Sequence, residues 1–269
     1  MSKQGDSKQG DRQTAAPFRG VGVALVTLFR AEGALDAAAT ADLALRLVEL
    51  GVEAVLAAGT TGEASALEPA ERVELLRVLR DGLGEGGVPL IAGTGAPSSR
   101  QAVRLTEEAV GEGVDALLVL SPPGATDPRG YYDEVAKAAA GVPLLAYHYP
   151  AVSPPGIDQR RLAELPVAGC KDSSGDAERL VATLASWGGA LYTGAAQLTL
   201  TAGALGAAGA ILALANAEPE RCVSAFAGDG RSQLELGAAH AEARAGFPSG
   251  IKALVSRRFG TASRARLAG

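Results

Sequence analysis

Eight short apolar runs recur along this chain, and most of the segments between them carry helical spacing. The runs are 21–27, 54–59, 89–93, 116–121, 143–149, 167–171, 190–194 and 210–214. Seven are followed by stretches of helical periodicity, such as 36–50, 69–81, 98–112 and 128–140. Asp36, Ser98 and Asp127 stand where a side-chain oxygen would cap a helix start. Near-continuous apolar strands are those buried on both faces, as in a parallel sheet covered by helices. Eight such units in 269 residues fit one (β/α)8 barrel, a TIM barrel. An open doubly wound sheet competes with it, because alternation alone does not require closure. Segments 218–227, 231–245 and 249–259 predict further helices after the eighth strand. The expected organisation is a disordered tail over 1–16, where Ser-Lys-Gln-Gly-Asp occurs twice, a barrel over 17–216, and a C-terminal helical extension over 217–269.

Composition narrows the function classes. Apolar residues make up 47% of the chain and aromatics only 4%, so the core is expected to be built from Ala, Val and Leu. A formal net charge of -5 gives no footprint for nucleic acid. Cys170 and Cys222 have no paired spacing, which argues against a disulfide framework or a zinc site and towards a reducing, cytoplasmic setting. The polar N-terminus predicts no signal peptide. The longest apolar stretch, 202–217, is broken by glycines and too short to span a bilayer.

The barrel reading places chemistry at the carboxyl ends of the strands. The unusual residues fall there. Strand two ends in Gly59-Thr60-Thr61-Gly62-Glu63, strand five in Tyr147-His148-Tyr149-Pro150, strand seven at Gly194, and strand six carries Lys171. A lysine inside a parallel barrel is desolvated, which disfavours the ammonium form and leaves a nucleophilic amine able to form a Schiff base with a ketone. The competing reading is a lysine that snorkels to water at a strand end. With period-two alternation, an inward Lys171 puts Gly169 and Ser173 inside as well, and sends Cys170 and Asp172 towards the helices. Cys170 is then a small buried hydrophobe. Tyr147 and Tyr149 share one face, taken as inward. His148 takes the other and reads as structural. The Gly-Thr-Thr-Gly-Glu turn offers N–H groups and two hydroxyls suited to a carboxylate. It lacks the lysine and spacing of a phosphate-binding loop. Glu63 reads as a helix N-terminal acid, Lys252 as a surface lysine, and Trp187 as a packing residue after the sixth helix.

Together these pieces resemble the dihydrodipicolinate synthase / N-acetylneuraminate lyase family of lysine-dependent aldolases. Gly59-Thr60-Thr61-Gly62-Glu63 is similar to its Gly-Thr-Thr-Gly-Glu signature. Tyr147-His148-Tyr149-Pro150 resembles its Tyr-Asn-x-Pro segment, and Gly169-Cys170-Lys171-Asp172 its Gly-x-Lys-(Asp/Glu) segment. Segments 191–194 and 209–216 resemble its seventh and eighth strands, so the likeness runs from about Phe18 to Gly260. It implies a (β/α)8 barrel with C-terminal helices and a homo-oligomer, tetramer or dimer. It implies no metal and no organic cofactor, with pyruvate or another 2-oxo acid and an aldehyde as the small-molecule partners. By position it makes Lys171 the imine former and Tyr147 the proton-shuttling phenol. Thr60 and Thr61 become the carboxylate holders, with Thr60 in the relay. Gly194 and Ile211 become neighbours of the lysine and the pyruvyl group.

Two positions depart from the family's synthases. Their tyrosine in the loop after strand four corresponds to Gly124, and their arginine after Tyr-Asn-x-Pro corresponds to Val152. These losses, with Lys-Asp-Ser-Ser-Gly-Asp and Ala-Leu-Ala-Asn at 171–176 and 213–216, bring the chain closer to 4-hydroxy-2-oxoglutarate and 2-keto-3-deoxygluconate aldolases. The implied activity is a class I aldolase: a carbon–carbon lyase that cleaves or forms a bond between pyruvate and an aldehyde. The alternatives are a dihydrodipicolinate synthase-like condensation, dehydration of a sugar acid through the same imine, or 2-oxo-acid binding without turnover.

Overall fold

The computed structural model describes residues 16–267. The expected tail therefore lies, but for residue 16, outside the described residues. The eight apolar runs become β1 (Gly20–Ala24), β2 (Ala54–Ala57), β3 (Leu90–Gly93), β4 (Ala116–Leu120), β5 (Leu144–His148), β6 (Gly169–Asp172), β7 (Ala190–Thr193) and β8 (Gly209–Leu212). Every pairing is parallel, and β8 returns to β1 with Gly20 opposite Gly209 and Val23 opposite Leu212. The ring closes, which rules out the open doubly wound sheet. Asn216 ties the seam. Its Oδ1 accepts from the Val26 N–H at 2.9 Å, and its Nδ2 donates to the Ala24 carbonyl at 2.6 Å.

Alternation along the strands sorts the apolar residues into two cores. Ala54, Leu56, Ile91, Leu118, Leu145 and Ile211 fill the lumen. Val55, Ala57, Ala92, Leu117, Ala146 and Cys170 face outward and pack with the helices. The lumen floor is an aromatic plug. Tyr192 stacks on Phe18 with ring centroids 4.7 Å apart and donates its hydroxyl to the Phe18 carbonyl at 2.8 Å. Glycine at 209 makes room for it, since a Cβ there would lie 3.1 Å from the Tyr192 ring and collide with the Gly20 carbonyl.

The helices are α1 (Ala37–Glu49), α2 (Pro69–Leu83), α3 (Ser99–Gly111), α4 (Arg129–Ala138), α5 (Ala177–Ser186), α6 (Thr199–Ala204), α7 (Pro219–Phe226), α8 (Gly230–Arg244) and α9 (Ser249–Phe259). Asp36 and Ser98 cap α1 and α3 by accepting from Ala39 and Gln101 N–H groups. Asp127 is not the cap of α4: Pro128 holds that position, and Asp127 accepts from the Arg129 N–H at 3.2 Å. A 3₁₀ turn, Gln159–Glu164, replaces an α-helix between β5 and β6. No helix among the described residues is long and apolar enough to cross a membrane.

After α9 the chain runs back over the turn that follows β2, and this return revises two expectations. Lys252 is not a surface residue: on α9, its side chain and that of Glu63 are both fully buried and joined as an ion pair. Glu63 does stand at the start of a 3₁₀ turn, Ala64–Ala66, but its side chain makes no cap bond there. It is held in the left-handed region, at φ 54, by contacts with the returning chain.

Candidate active site

Lys171 is the centre of the site because three neighbouring strands put one rung of side chains into the lumen. Tyr147 on β5 pairs in register with Lys171 on β6, which pairs with Tyr192 on β7. Lys171 is 4% exposed. Its Nζ lies 4.6 Å from the Tyr147 ring centroid. Burial alone pulls its ammonium from 10.5 down to about 7, with no neighbouring charge among the described residues opposing or adding to the shift. The snorkelling alternative is excluded by this burial.

Tyr147 is buried, and loss of water pushes its phenol up to about 12, against a smaller pull from the hydroxyls of Ser173 and Thr60. It therefore holds its proton at neutral pH and is available as a hydrogen-bond donor. Tyr149 stacks beside it with centroids 5.8 Å apart, as their shared strand face requires.

The turn 59–63 closes on itself. The Glu63 N–H donates to the Thr60 carbonyl at 3.1 Å, and the Ala64 N–H to the Gly59 carbonyl at 3.2 Å. The Thr27 hydroxyl pins it to the end of β1 by donating to the Gly62 carbonyl at 2.7 Å. Gly62 is required there, since a Cβ would come within 2.9 Å of the Leu25 carbonyl oxygen. Among the described residues, the N–H groups of Thr60, Thr61 and Gly62 find no backbone acceptor. Free N–H groups beside two hydroxyls form an anion-binding concavity.

A cavity of about 590 Å³ joins all six residues singled out from the sequence, Lys171, Tyr147, Thr60, Thr61, Gly194 and Ile211. Gly194 is the tightest point: a Cβ would collide with the Ser173 hydroxyl and sit 3.0 Å from the Lys171 Cε. The cavity also has a wall that the motifs did not reveal, made by His240, Arg244 and Phe247 from α8 and the segment after it. No sequence signal marks these residues, which lie far from every strand end.

A second cavity of about 520 Å³ shares Thr60 and Tyr147 with the first and continues past Ser121, Val152 and Leu267. Gly124 stands in open space, with no atom within 4 Å of where a Cβ would be. Val152 is 48% exposed. A cleft of about 650 Å³ outside the barrel is larger than either but has no lysine, cysteine, serine or tyrosine among its lining residues. Its Arg160 is held by Asp158 at 2.5 Å, and its Arg179 by Asp172 at 2.6 Å.

The outward-facing neighbours are structural, as alternation predicts. His148 accepts the Ile157 N–H at Nδ1 (2.8 Å), and burial lowers its imidazole to about 4. Asp172 accepts from the Ser174 N–H and hydroxyl at 2.8 and 2.6 Å. Burial pushes the Cys170 thiol up to about 12, which removes it as a nucleophile.

The sequence profile of the dihydrodipicolinate synthetase family matches residues 17–241. The 4-hydroxy-tetrahydrodipicolinate synthase of Synechococcus sp. (strain CC9605) is 36% identical over 236 residues, 82% of this chain and 77% of that protein. A DapA-like lyase of uncharacterized activity from Halobacterium salinarum is 36% identical over 226 residues, 78% of this chain and 71% of its own length. The crystal structure of the chloride-inhibited dihydrodipicolinate synthase from Acinetobacter baumannii, complexed with pyruvate, superposes with a TM-score of 0.77 at 29% identity, covering 93% of this chain and 94% of that one. A profile match across most of the barrel, with the buried lysine, the phenol and the Gly-Thr-Thr-Gly-Glu turn around one cavity, makes this chain a member of the dihydrodipicolinate synthetase family.

Proposed function

We propose that this chain is a class I carbon–carbon lyase that handles pyruvate, or a 2-oxo acid that yields it, through an imine on Lys171. The observation that carries the reading is a primary amine buried at 4% exposure, with burial the sole cause of its depression to about 7. Such an amine is substantially neutral at physiological pH and needs no separate base to free its lone pair. The pyruvate complex of the related Acinetobacter baumannii enzyme supports the choice of 2-oxo acid.

In this reading the Thr60–Thr61 turn binds the substrate carboxylate and presents C2 to the lysine. The amine attacks C2 to give a carbinolamine. Tyr147, with the Thr60 and Ser173 hydroxyls, passes a proton to the departing oxygen, and loss of water leaves a protonated imine. That cation draws the electrons of the C3–C4 bond as it breaks, while the C4 hydroxyl gives up its proton to the same relay. An aldehyde leaves and an enamine remains. Protonation at C3 and hydrolysis return pyruvate and the free lysine. The reverse order builds the bond. Thr60, Thr61, Tyr147, Lys171, Gly194 and Ile211 are thus assigned as the working set, with no metal in any step.

The aldehyde side sets this chain apart from its synthase-named relatives. Glycine at 124 and valine at 152 offer neither a phenol nor a cation, which favours an aldol cleavage of the 4-hydroxy-2-oxo-acid or 2-keto-3-deoxy-acid type over the synthase condensation. Borohydride reduction in the presence of pyruvate, followed by peptide mass mapping, tests the imine. A reduced pyruvyl adduct on Lys171 is expected, and its absence would sink the proposal. Product analysis over a panel of 4-hydroxy-2-oxo acids and sugar acids then separates aldol cleavage from dehydration.

A further inference from the structure

Glu63 ends the carboxylate-binding turn, yet its side chain points away from the cavity and into a buried knot made by the end of the chain. Its Oε1 accepts from the Lys252 ammonium of α9. Its Oε2 accepts from the backbone N–H groups of Arg266 and Leu267, each at 2.7 Å. Lys252 in turn donates to the Arg264 carbonyl at 2.8 Å, so one ammonium joins the turn to the returning segment 261–267. The Arg266 guanidinium fastens that segment from outside. It forks onto Glu71 of α2 at 2.6 and 2.5 Å, and also donates to the Gly33 and Ala66 carbonyls at 2.9 and 2.8 Å. Phe29 lies between the two cations, 4.3 Å from the Lys252 Nζ and 4.2 Å from the Arg266 guanidinium carbon.

These bonds do more than cover a hydrophobic surface. Glu63 is a non-glycine residue at φ 54, a conformation that persists only where its surroundings over-determine it. Its own N–H closes the turn onto the Thr60 carbonyl. Releasing the carboxylate therefore frees the backbone that orients the Thr60 and Thr61 N–H groups and hydroxyls. Leu267, at the end of the knot, also lines the cavity shared with Thr60 and Tyr147.

We infer that Glu63, Lys252 and the returning segment through Arg266 form a positioning clamp. It sets the affinity of the Thr60–Thr61 turn for the carboxylate of the substrate, without touching substrate or Lys171. The inference rests on the proposed role of that turn. It predicts that loosening the clamp weakens recognition of the carboxylate and spares the amine chemistry, a split that a general loss of folding would not produce.

Two variants test it: a stop after Gly260, and Arg266→Gln in the full chain, which leaves the segment in place but removes its fork onto Glu71. Adduct formation on Lys171 is followed with borohydride against pyruvate concentration, and in parallel with methyl pyruvate, which has no carboxylate. For both variants the half-saturating pyruvate concentration is expected to rise about ten-fold, as displacement of a binding group allows. The rate at saturation should stay within about three-fold. Methyl pyruvate should react equally with wild type and variants, and Arg266→Lys should restore part of the pyruvate affinity. Unchanged half-saturation in Arg266→Gln overturns the clamp, as does an equal loss with both esterified and free acid. If the shortened chain does not fold, Arg266→Gln decides alone. If wild type forms no adduct but pyruvate still raises its melting temperature, the imine reading fails and the clamp is judged on that shift, which should shrink in Arg266→Gln. If wild type shows neither adduct nor shift, the turn does not bind the carboxylate and the clamp falls with it.

Discussion

Glu63 and Lys252 stand 189 positions apart and meet as an ion pair with no side-chain exposure on either partner. Removing one member of such a pair leaves the other charge in a medium that cannot solvate it. Lys252→Met is expected to cost on the order of 3 kcal/mol in urea unfolding. The double variant with Glu63→Gln should lose less than the two single losses combined, by about 1 kcal/mol or more. Strict additivity would show that the two side chains do not act on each other.

Lys171 links activity to pH. Its folded value of about 7 lies below the ordinary 10.5, so the folded state binds fewer protons than the unfolded state between those values. Stability from this group is complete above pH 10.5 and is lost as pH falls to about 7. Lys171→Met removes that loss. The variant should be more stable than wild type at pH 7, by up to about 5 kcal/mol, and melt higher, while forming no adduct. In wild type, the second-order rate of adduct formation should climb as pH rises through about 7 and then level off. A rate that levels off only near pH 10 would place the lysine in solvent.

Tyr147 keeps its proton, with burial raising it to about 12, which suits the relay proposed for it. Tyr147→Phe keeps the ring that lies 4.6 Å from the Lys171 Nζ and removes only the hydroxyl. Adduct formation should fall by about 10² to 10³ with little change in the melting shift that pyruvate produces. Loss of that shift would instead assign the phenol to binding.

Gly194 leaves the lysine its space. Gly194→Ala would drive a methyl into the Ser173 hydroxyl and against the Lys171 Cε at 3.0 Å. The backbone at 194 does not need a positive φ, so the fold should survive. Trapping with pyruvate should fall at least about 100-fold while the melting temperature moves by only a few degrees. Full trapping in the variant would mean that the lysine has room the geometry does not show.

His148 is outside the proposed reaction. Its imidazole, held at about 4 by burial, stays neutral around pH 7 and accepts the Ile157 N–H. His148→Asn retains an acceptor, and turnover should stay within a few-fold of wild type. Wild type should lose stability as pH falls from 6.5 to about 4, because the unfolded state takes up the proton that the folded state refuses. That loss reaches at most about 3 kcal/mol and should be absent in the variant. A bell-shaped activity profile that loses its acid limb in the variant would return His148 to the reaction.

The strands were legible because a parallel sheet between two cores needs continuous apolar runs, and those are visible without tertiary information. Alternation then placed Lys171 and Tyr147 inward and Cys170, Asp172 and His148 outward. The segment between β5 and β6 carries Pro154, Pro155 and Gly156, which interrupt a helix, and it folds as a 3₁₀ turn. Glu63 reads locally as a helix N-terminal acid and Lys252 as a surface lysine, because neither local sequence shows what covers it. What buries them is 261–267, a polar stretch with no periodicity, whose role depends on contacts with residues some 200 positions earlier. The α8 wall of the cavity leaves no mark in the sequence for the same reason: nothing local to His240 or Arg244 points at Lys171.

Tyr147, Lys171 and Tyr192 occupy successive strands and are paired in register through the ladder's backbone hydrogen bonds. The loop after β4 that holds Gly124 and the one after β5 that holds Val152 are tied to each other: the Gly124 N–H donates to the Pro154 carbonyl at 2.7 Å, and the Ser153 hydroxyl to the Ser121 carbonyl at 2.6 Å. In the proposed reaction the strands supply the amine and this coupled pair of loops faces the aldehyde, so a graft meant to exchange the aldehyde preference has to carry both loops together.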